Sequence, residues 1–366
     1  MIDLSLLADG GMGWLDASGP ESHLVLSTRV RLARNLTAFP FQGRSSDAER
    51  ERMLKEVEAA ARDTVLLGRA MSFRLDRLDE ADRQLLHERH LVSKELAGLE
   101  TGGRVRYAAA LLHQDRAGVM LNEEDHLRLQ GLSSGFALPA TYEEVDRLDG
   151  ELGRRLRFAF HPEFGYLTAC PTNVGTGLRA SVLIHLPGLV LTKEVSRVLQ
   201  GLAQVGLTFR GLYGEGSEVV GNFFQLSNQT TLGKSETDLL DQLARVVRQV
   251  IDYEEQARQV LLQSAPTVIE DKVWRAYGLL RHAQPVVRRG DEPAERRAAW
   301  RRARIDSRHR HVHAQQAPDP VPAGPSGRRG TTGAGRPGPG PAAGEHGPAS
   351  AGRRGGTARL VPSGRR

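Results

Sequence analysis

The amino-acid sequence predicts an α+β domain, an antiparallel sheet flanked by helices, with a helical C-terminal domain that is truncated or frameshifted. Three observations lead there. Short apolar runs come in pairs across turn residues, as at 105–112 and 118–121. Helical periodicities follow these pairs in blocks rather than alternating with single strands, which argues against a regular βαβ sheet. The composition also changes abruptly near residue 284.

Leu24, Val25 and Leu26 read as a strand running into Ser27-Thr28-Arg29-Val30-Arg31. Ser46 or Asp47 can cap a helix reaching about residue 67, where Met53, Val57, Ala60, Ala61 and Val65 keep helical spacing. A shorter helix is expected over 79–88. Segments 105–112 and 118–121 should pair around Gln114-Asp115-Arg116, and helices are expected over 142–156 and 195–205. Segments 207–212 and 222–226 alternate as a hairpin around Tyr213-Gly214-Glu215-Gly216. A long amphipathic helix spans about 235–263 with Leu239, Leu243, Val246, Val250 and Tyr253 on one side, and another covers 269–280.

The chain has 366 residues, a net charge of +6 and a pI near 9.7. These values mislead if taken whole. From Gln284 to Arg366 there are 17 Arg, no Lys and 6 acidic residues, leaving 33 basic and 38 acidic residues before it. The first 283 residues are thus mildly acidic, so no direct nucleic-acid partner is expected. The tail holds 11 of the 18 Pro and 14 of the 40 Gly, a composition expected to be disordered. The remainder is long enough for a substantial core. The single cysteine, Cys170, excludes an intrachain disulfide and fits a reducing compartment. No apolar run is long enough to span a bilayer and the N-terminus lacks a secretory pattern, so no membrane partner and a cytoplasmic location are expected.

The most informative run is Cys170-Pro171-Thr172-Asn173-Val174-Gly175-Thr176-Gly177-Leu178-Arg179. Small residues let backbone N–H groups approach an anion, and the arginine supplies a planar fork of donors for phosphate oxygens. Ser27-Thr28-Arg29-Val30-Arg31 adds two arginines on one side of an extended segment. Asn122-Glu123-Glu124-Asp125-His126-Leu127-Arg128 and Arg210-Gly211-Leu212-Tyr213-Gly214-Glu215 complete the set. Together these blocks resemble the ATP:guanidino phosphotransferases, the phosphagen kinase family, over about residues 14–283. Gly233-Lys234-Ser235 is a failed imitation of a Walker loop, because the earlier glycine it needs is Asn228.

The resemblance implies a guanidino kinase catalytic domain over 1–250 and the start of the helical C-terminal domain over 251–283. It implies an ATP site built from Ser27, Thr28, Arg29, Val30 and Arg31, from His90 and Arg128, from Arg179, Ala180, Ser181, Val182 and Leu183, and from Arg210, Gly211, Leu212, Tyr213, Gly214 and Glu215. Mg²⁺ would come with the nucleotide and need no protein cage. Glu124 is expected to align the acceptor guanidinium and accept its proton, since that group is a poor nucleophile while protonated. Glu123 and Asp125 read as structural. Glu215 is a second substrate-facing carboxylate, and Cys170 would orient the guanidinium.

Arg29 comes too early in the chain for the helical domain that covers small substrates in metabolite kinases. Pro20-Glu21-Ser22, Arg31-Leu32-Ala33-Arg34-Asn35 and Gly214-Glu215-Gly216-Ser217-Glu218 resemble the bacterial branch that phosphorylates arginine in proteins. That branch implies a zinc-binding activator protein, a heat-shock repressor and a Clp-type ATPase as partners, and a homodimer. A metabolite guanidino kinase and a catalytically impaired regulatory protein stay open as alternatives. In the family a helical domain follows residue 280; here codons can be chosen for 284–295 and 310–323 so that the +1 frame reads as that domain. A frameshift near Arg281 to Gln284 would therefore account for the basic tail, and dimerisation should be lost or impaired.

Overall fold

A computed structural model describes residues 13–100, 102–211 and 221–282. Its centre is an eight-stranded sheet in the order β2-β3-β4-β5-β1-β8-β10-β9, with every neighbouring pair antiparallel. The strands are β1 (Val25–Arg34), β2 (Met71–Arg74), β3 (Ala110–Gln114), β4 (Ala117–Leu121), β5 (Leu127–Ser134), β8 (Leu178–His185), β9 (Leu207–Gly211) and β10 (Phe223–Asn228). A separate short hairpin, β6 (Phe160–His161) with β7 (Gly165–Tyr166), lies ahead of Cys170. The helices are α1 (Asp47–Arg62), α2 (Glu80–Glu88), α3 (Leu138–Gly153), α4 (Pro187–Leu191), α5 (Val195–Gln204), α6 (Glu236–Ser264) and α7 (Pro266–His282).

Alternation along the strands divides the sheet into two unlike faces. On β1, Thr28, Val30 and Leu32 are buried, and Val30 and Leu32 join Leu129, Val119, Ala180, Val182 and Leu226 in the large core. Apolar residues of α1, α3 and α6 belong to the same core, among them Val57, Leu148 and Leu243. On the other face a smaller core of Phe73, Leu86, Leu91, Leu96, Leu111 and Met120 covers only the β2–β3–β4 end. From β5 to β9 that face carries mostly polar and charged side chains, with Leu132 and Leu183 among them.

The structure corrects several expectations. The first helix stops at Arg62, not near 67, because the Thr64 hydroxyl donates to Ala61 O at 2.7 Å and accepts Leu67 N–H at 3.0 Å, diverting the chain. Val65 is accordingly 66% exposed. The strand expected from 105 starts at Ala110; Ala108 has φ 59° and its N–H donates to Asp76 Oδ2 at 3.0 Å. The helix expected from 142 begins at Leu138, where Pro139 in the first turn has no N–H to satisfy. Tyr253 lies outside the buried stripe of α6 and is 49% exposed. Buried Glu254 shares that stripe because its carboxylate accepts the Gly188 and Leu189 N–H groups at 2.8 and 2.9 Å, capping α4. The helix α6 is continuous from Glu236 to Ser264. The turn expected at 213–216 and the tail 284–366 lie outside the described residues.

Candidate active site

Cross-strand partners share a face, so the sheet register shows which side chains meet. Arg31 stands between Gln130 of β5 and Arg179 of β8, and Arg29 between Leu132 and Ser181. Leu183 pairs with Gln225 of β10, which pairs with Arg210 of β9. Arg128 pairs with Ala33 one step further along. Ser27, Arg29, Arg31, Arg128, Arg179, Ser181, Leu183 and Arg210 therefore rise from the one face that the helices leave open.

Packing several guanidinium groups on one apolar-backed floor has an electrostatic cost. Arg29 Nη2 donates to Gln225 Oε1 at 2.9 Å, while Arg31 Nε is buried without a hydrogen-bond partner. Loss of water, reinforced by the charges of Arg128 and Arg179, pulls Arg29 down to about 10. The same desolvation, with repulsion from Arg29, Arg128 and Arg179, holds Arg31 well below its usual range although Glu123 opposes it. Both residues keep partial exposure, so the floor is open to a ligand. A polyanion arriving there supplies the missing acceptor and cancels the repulsion.

One end of this floor is a cleft lined by Ser27, Arg29, His90, Leu132, Ser181 and Gln225. His90 has φ 58°, and its carbonyl accepts Gln130 Nε2 at 2.9 Å. Desolvation first, then the positive charges of Arg29, His87 and Arg31, press its imidazole down to about 3. The ring is neutral at physiological pH. It suits contact with an uncharged ring better than with phosphate.

At another edge, the turn from β4 to β5 carries acidic side chains in unlike settings. Asn122 reaches back to Ala108 O at 2.8 Å and accepts Gln42 Nε2 at 2.7 Å. Asp125 Oδ1 accepts Asn35 Nδ2 and Ala169 N–H, both at 2.6 Å. His126 Nδ1 accepts Leu36 N–H at 2.9 Å, leaving Nε2–H to donate to Pro40 O. Glu123 is buried and accepts from Arg128, from the Ser93 hydroxyl at 2.7 Å and from Glu124 N–H at 2.8 Å. These anchors leave Glu124 as the exposed member of the turn, 3.4 Å from Arg128 Nη2. Partial burial, with the charges of Glu123 and Asp125, raises its pKa against the pull of Arg128 and a hydrogen bond to Cys170.

Cys170 precedes a single helical turn, Pro171–Asn173, and its Sγ lies 3.0 Å from Thr172 Oγ1. The Asp125–Ala169 bond ties the segment before it to the turn bearing Glu124. Beyond it, Thr231 Oγ1 donates to Thr172 O or Val174 O at 2.9 and 2.7 Å. Gly177 has φ 66°, and a Cβ there would lie 2.7 Å from both Ala33 O and Arg34 Nη1. The loop thus closes tightly on β1 before delivering Arg179.

The structure brings Glu124 to Cys170 and lines Arg29, Arg31, Arg128, Arg179 and Arg210 along one face. Thr28, Val30, Ala180 and Val182 do not share it: the three apolar side chains belong to the large core, and the buried Thr28 hydroxyl donates to Gly135 O at 2.7 Å. Gly211 ends β9, while Leu212, Tyr213, Gly214 and Glu215 lie outside the described residues. Sequence reasoning passed over Gln225, a polar residue interrupting Phe223-Phe224-Gln225-Leu226, which was the signal available. Glu123, read as structural, is a buried anchor that holds Arg128.

Residues 52–257 match the family model described as ATP:guanido phosphotransferase, C-terminal catalytic domain. Arg29 and Arg31 lie upstream of that match, although β1 is central to the sheet. The chain is 46% identical over 276 residues to a protein-arginine kinase of Symbiobacterium thermophilum, covering 75% of this chain and 77% of the relative. It is 43% identical over 273 residues to one of Bacillus cereus, covering 74% and 76%. Among solved structures it resembles the duplicated taurocyamine kinase of Schistosoma mansoni with bound transition-state analogue components, with a TM-score of 0.58 and 28% identity. That likeness covers 68% of this chain and 36% of the duplicated one. A lombricine kinase, at TM-score 0.58 and 24% identity over 67% of this chain and 71% of that one, shares the fold.

Proposed function

The chain belongs to the ATP:guanido phosphotransferase family, and from that premise we propose that it transfers the γ-phosphoryl group of ATP to arginine side chains of proteins. The observation that carries this reading is the pairing of an open arginine floor, with Arg31 Nε unsatisfied, and the exposed Glu124 next to Cys170. The 46% identity to a protein-arginine kinase supports a polypeptide acceptor rather than a free metabolite.

In this reading the ATP phosphates rest on Arg29, Arg31, Arg128, Arg179 and Arg210, with the base toward His90 and Leu183. Phosphoryl transfer asks the protein chiefly for alignment and charge compensation. A guanidino nitrogen attacks the γ-phosphorus, an N–P bond forms, the bond to the β,γ-bridging oxygen breaks and ADP leaves. The proton passes to the Glu124 carboxylate, whose raised pKa makes it a stronger base. Glu123 holds Arg128 and the Glu124 backbone in fixed relation, and Cys170 faces the same guanidinium. Glu215 is the second substrate-facing carboxylate in this reading.

No three His, Cys, Asp or Glu side chains converge on a metal cage among the described residues. Mg²⁺ would be held by phosphate oxygens and water, where it neutralises charge. No described helix is long and apolar enough to cross a membrane, and the reading includes a cytoplasmic enzyme with a zinc-binding activator, a heat-shock repressor and a Clp-type ATPase as partners. It also includes a catalytic domain over 1–250, a helical segment over 251–283 and a frameshifted tail over 284–366. ADP release should depend on a polypeptide bearing arginine and should vanish when lysine replaces every arginine in it. Equal turnover with free arginine would instead identify a metabolite kinase.

A further inference from the structure

Residues 13–24 form a strap that leads into β1 and passes the open face beside β5. Its anchor is tight: a Cβ on Gly19 would lie 1.9 Å from Ser134 O, and Phe136 N–H donates to Pro20 O at 2.6 Å. The Leu24 and Val25 N–H groups both donate to Glu21 O, at 3.0 and 2.7 Å. Ahead of that anchor Asp16 accepts the N–H and hydroxyl of Ser18 at 3.0 and 2.6 Å, closing a turn. The turn sets Trp14 edge-to-face against His90, with ring centroids 5.2 Å apart at 85°. Trp14 is only 7% exposed, yet its indole Nε1 has no hydrogen-bond partner. Buried indole N–H groups usually find an acceptor. Here the ring makes its aromatic contact with the imidazole while its N–H goes unmatched.

His90 has left-handed backbone geometry, which costs a histidine some strain. Its N–H donates to His87 O at 2.8 Å and its carbonyl accepts from Gln130, so its main chain is fixed from both sides. Trp14 packs edge-to-face on the ring. We propose that Trp14 is a positioning residue for the nucleotide base: it backs His90, so that the imidazole forms a set wall of the cleft, and the strap is thereby part of the ATP site. This rests on the reading that the cleft receives ATP. A base needs that wall and a bare phosphate chain does not, which separates positioning from a merely structural role.

Binding of ATP and of inorganic tripolyphosphate to the full chain would test this in the wild type, Trp14→Ala and Trp14→Phe. An aromatic contact of this kind corresponds to about three- to tenfold in affinity. Trp14→Ala should weaken ATP by that factor, leave tripolyphosphate unchanged, and raise KM for ATP without altering KM for the protein acceptor. Trp14→Phe should restore most of the loss. As a measurement that leaves the strap intact, Trp274→Phe with Trp300→Phe makes Trp14 the sole fluorophore of the chain's 3 tryptophans; its emission should respond to ATP and not to tripolyphosphate. Equal weakening of both ligands, no weakening of ATP, or an emission blind to ATP would each overturn the proposal. Failure of the wild type to bind ATP at all would instead overturn the reading beneath it.

Discussion

Replacing Asp149 with asparagine should destabilise the domain and loosen the loop that delivers Arg179. Arg34 and Asp149 form an ion pair with side-chain exposures of 2% and 9%, Nε and Nη2 each reaching the carboxylate at 2.9 Å. Arg34 Nη1 also donates to Ala33 O and to Thr176 O at 2.9 Å, and its Cζ lies 3.4 Å from the Tyr166 ring centroid. One guanidinium thus holds β1, α3, the β6–β7 hairpin and the glycine loop together. Removing its counter-charge leaves a buried cation, a loss of about 3–5 kcal/mol. Asparagine still offers one carbonyl oxygen, so the lower end, about 3 kcal/mol, is expected. With a urea m-value of about 3 kcal/mol per M, the midpoint should fall by about 1 M. Replacing both partners with apolar residues of similar size, Arg34→Met with Asp149→Leu, should recover part of that loss. A midpoint shift below about 0.3 M for Asp149→Asn would refute the reasoning, because it would mean the buried charge is not confined.

Glu124→Gln should lower turnover about 10²–10⁴-fold while ATP affinity, read by calorimetry, stays within about twofold. Arg31→Met should weaken ATP binding as well as rate, since it empties the centre of the arginine floor; unchanged affinity would mean the floor is misassigned. Because Glu124 must be ionised and its pKa is raised, the acid limb of kcat/KM should lie above the usual carboxylate range, activity falling as pH drops through it. A limb in the ordinary range would contradict this. The folded-state pKa of His90, about 3, is below its unfolded value of 6.5. Its neutral burial therefore favours the fold fully above pH 6.5, and stability is lost as pH falls toward 3, by up to about 1.4 kcal/mol per pH unit. His90→Gln should flatten that slope in chemical denaturation series. Resequencing the gene should find a helical pattern in the +1 frame after residue 284, and early stop codons there would end the frameshift proposal.

The sequence made some parts of this site plain and hid others for identifiable reasons. Arg29 and Arg31 were legible because a period of two puts them on one side, and the strand register brings Arg128, Arg179 and Arg210 to the same side. The same alternation turned Thr28, Val30, Ala180 and Val182 inward, which motif matching ignores when it takes a run of residues whole. Helix ends were misjudged where a single side chain intervened, as Thr64 does after α1. Glu254 caps α4, a contact between segments 65 residues apart that no local pattern encodes. Gln225 escaped for the same reason: its partners, Arg29 and Arg210, lie on other strands.

The most direct test of the central claim is transfer of label from γ-labelled ATP to a protein acceptor, followed by its stability in acid and in base. Phosphate carried on a guanidino nitrogen should be released by acid and survive base, and it should be absent with Glu124→Gln. Label that survives acid, or that persists undiminished in the Glu124→Gln protein, would contradict the account.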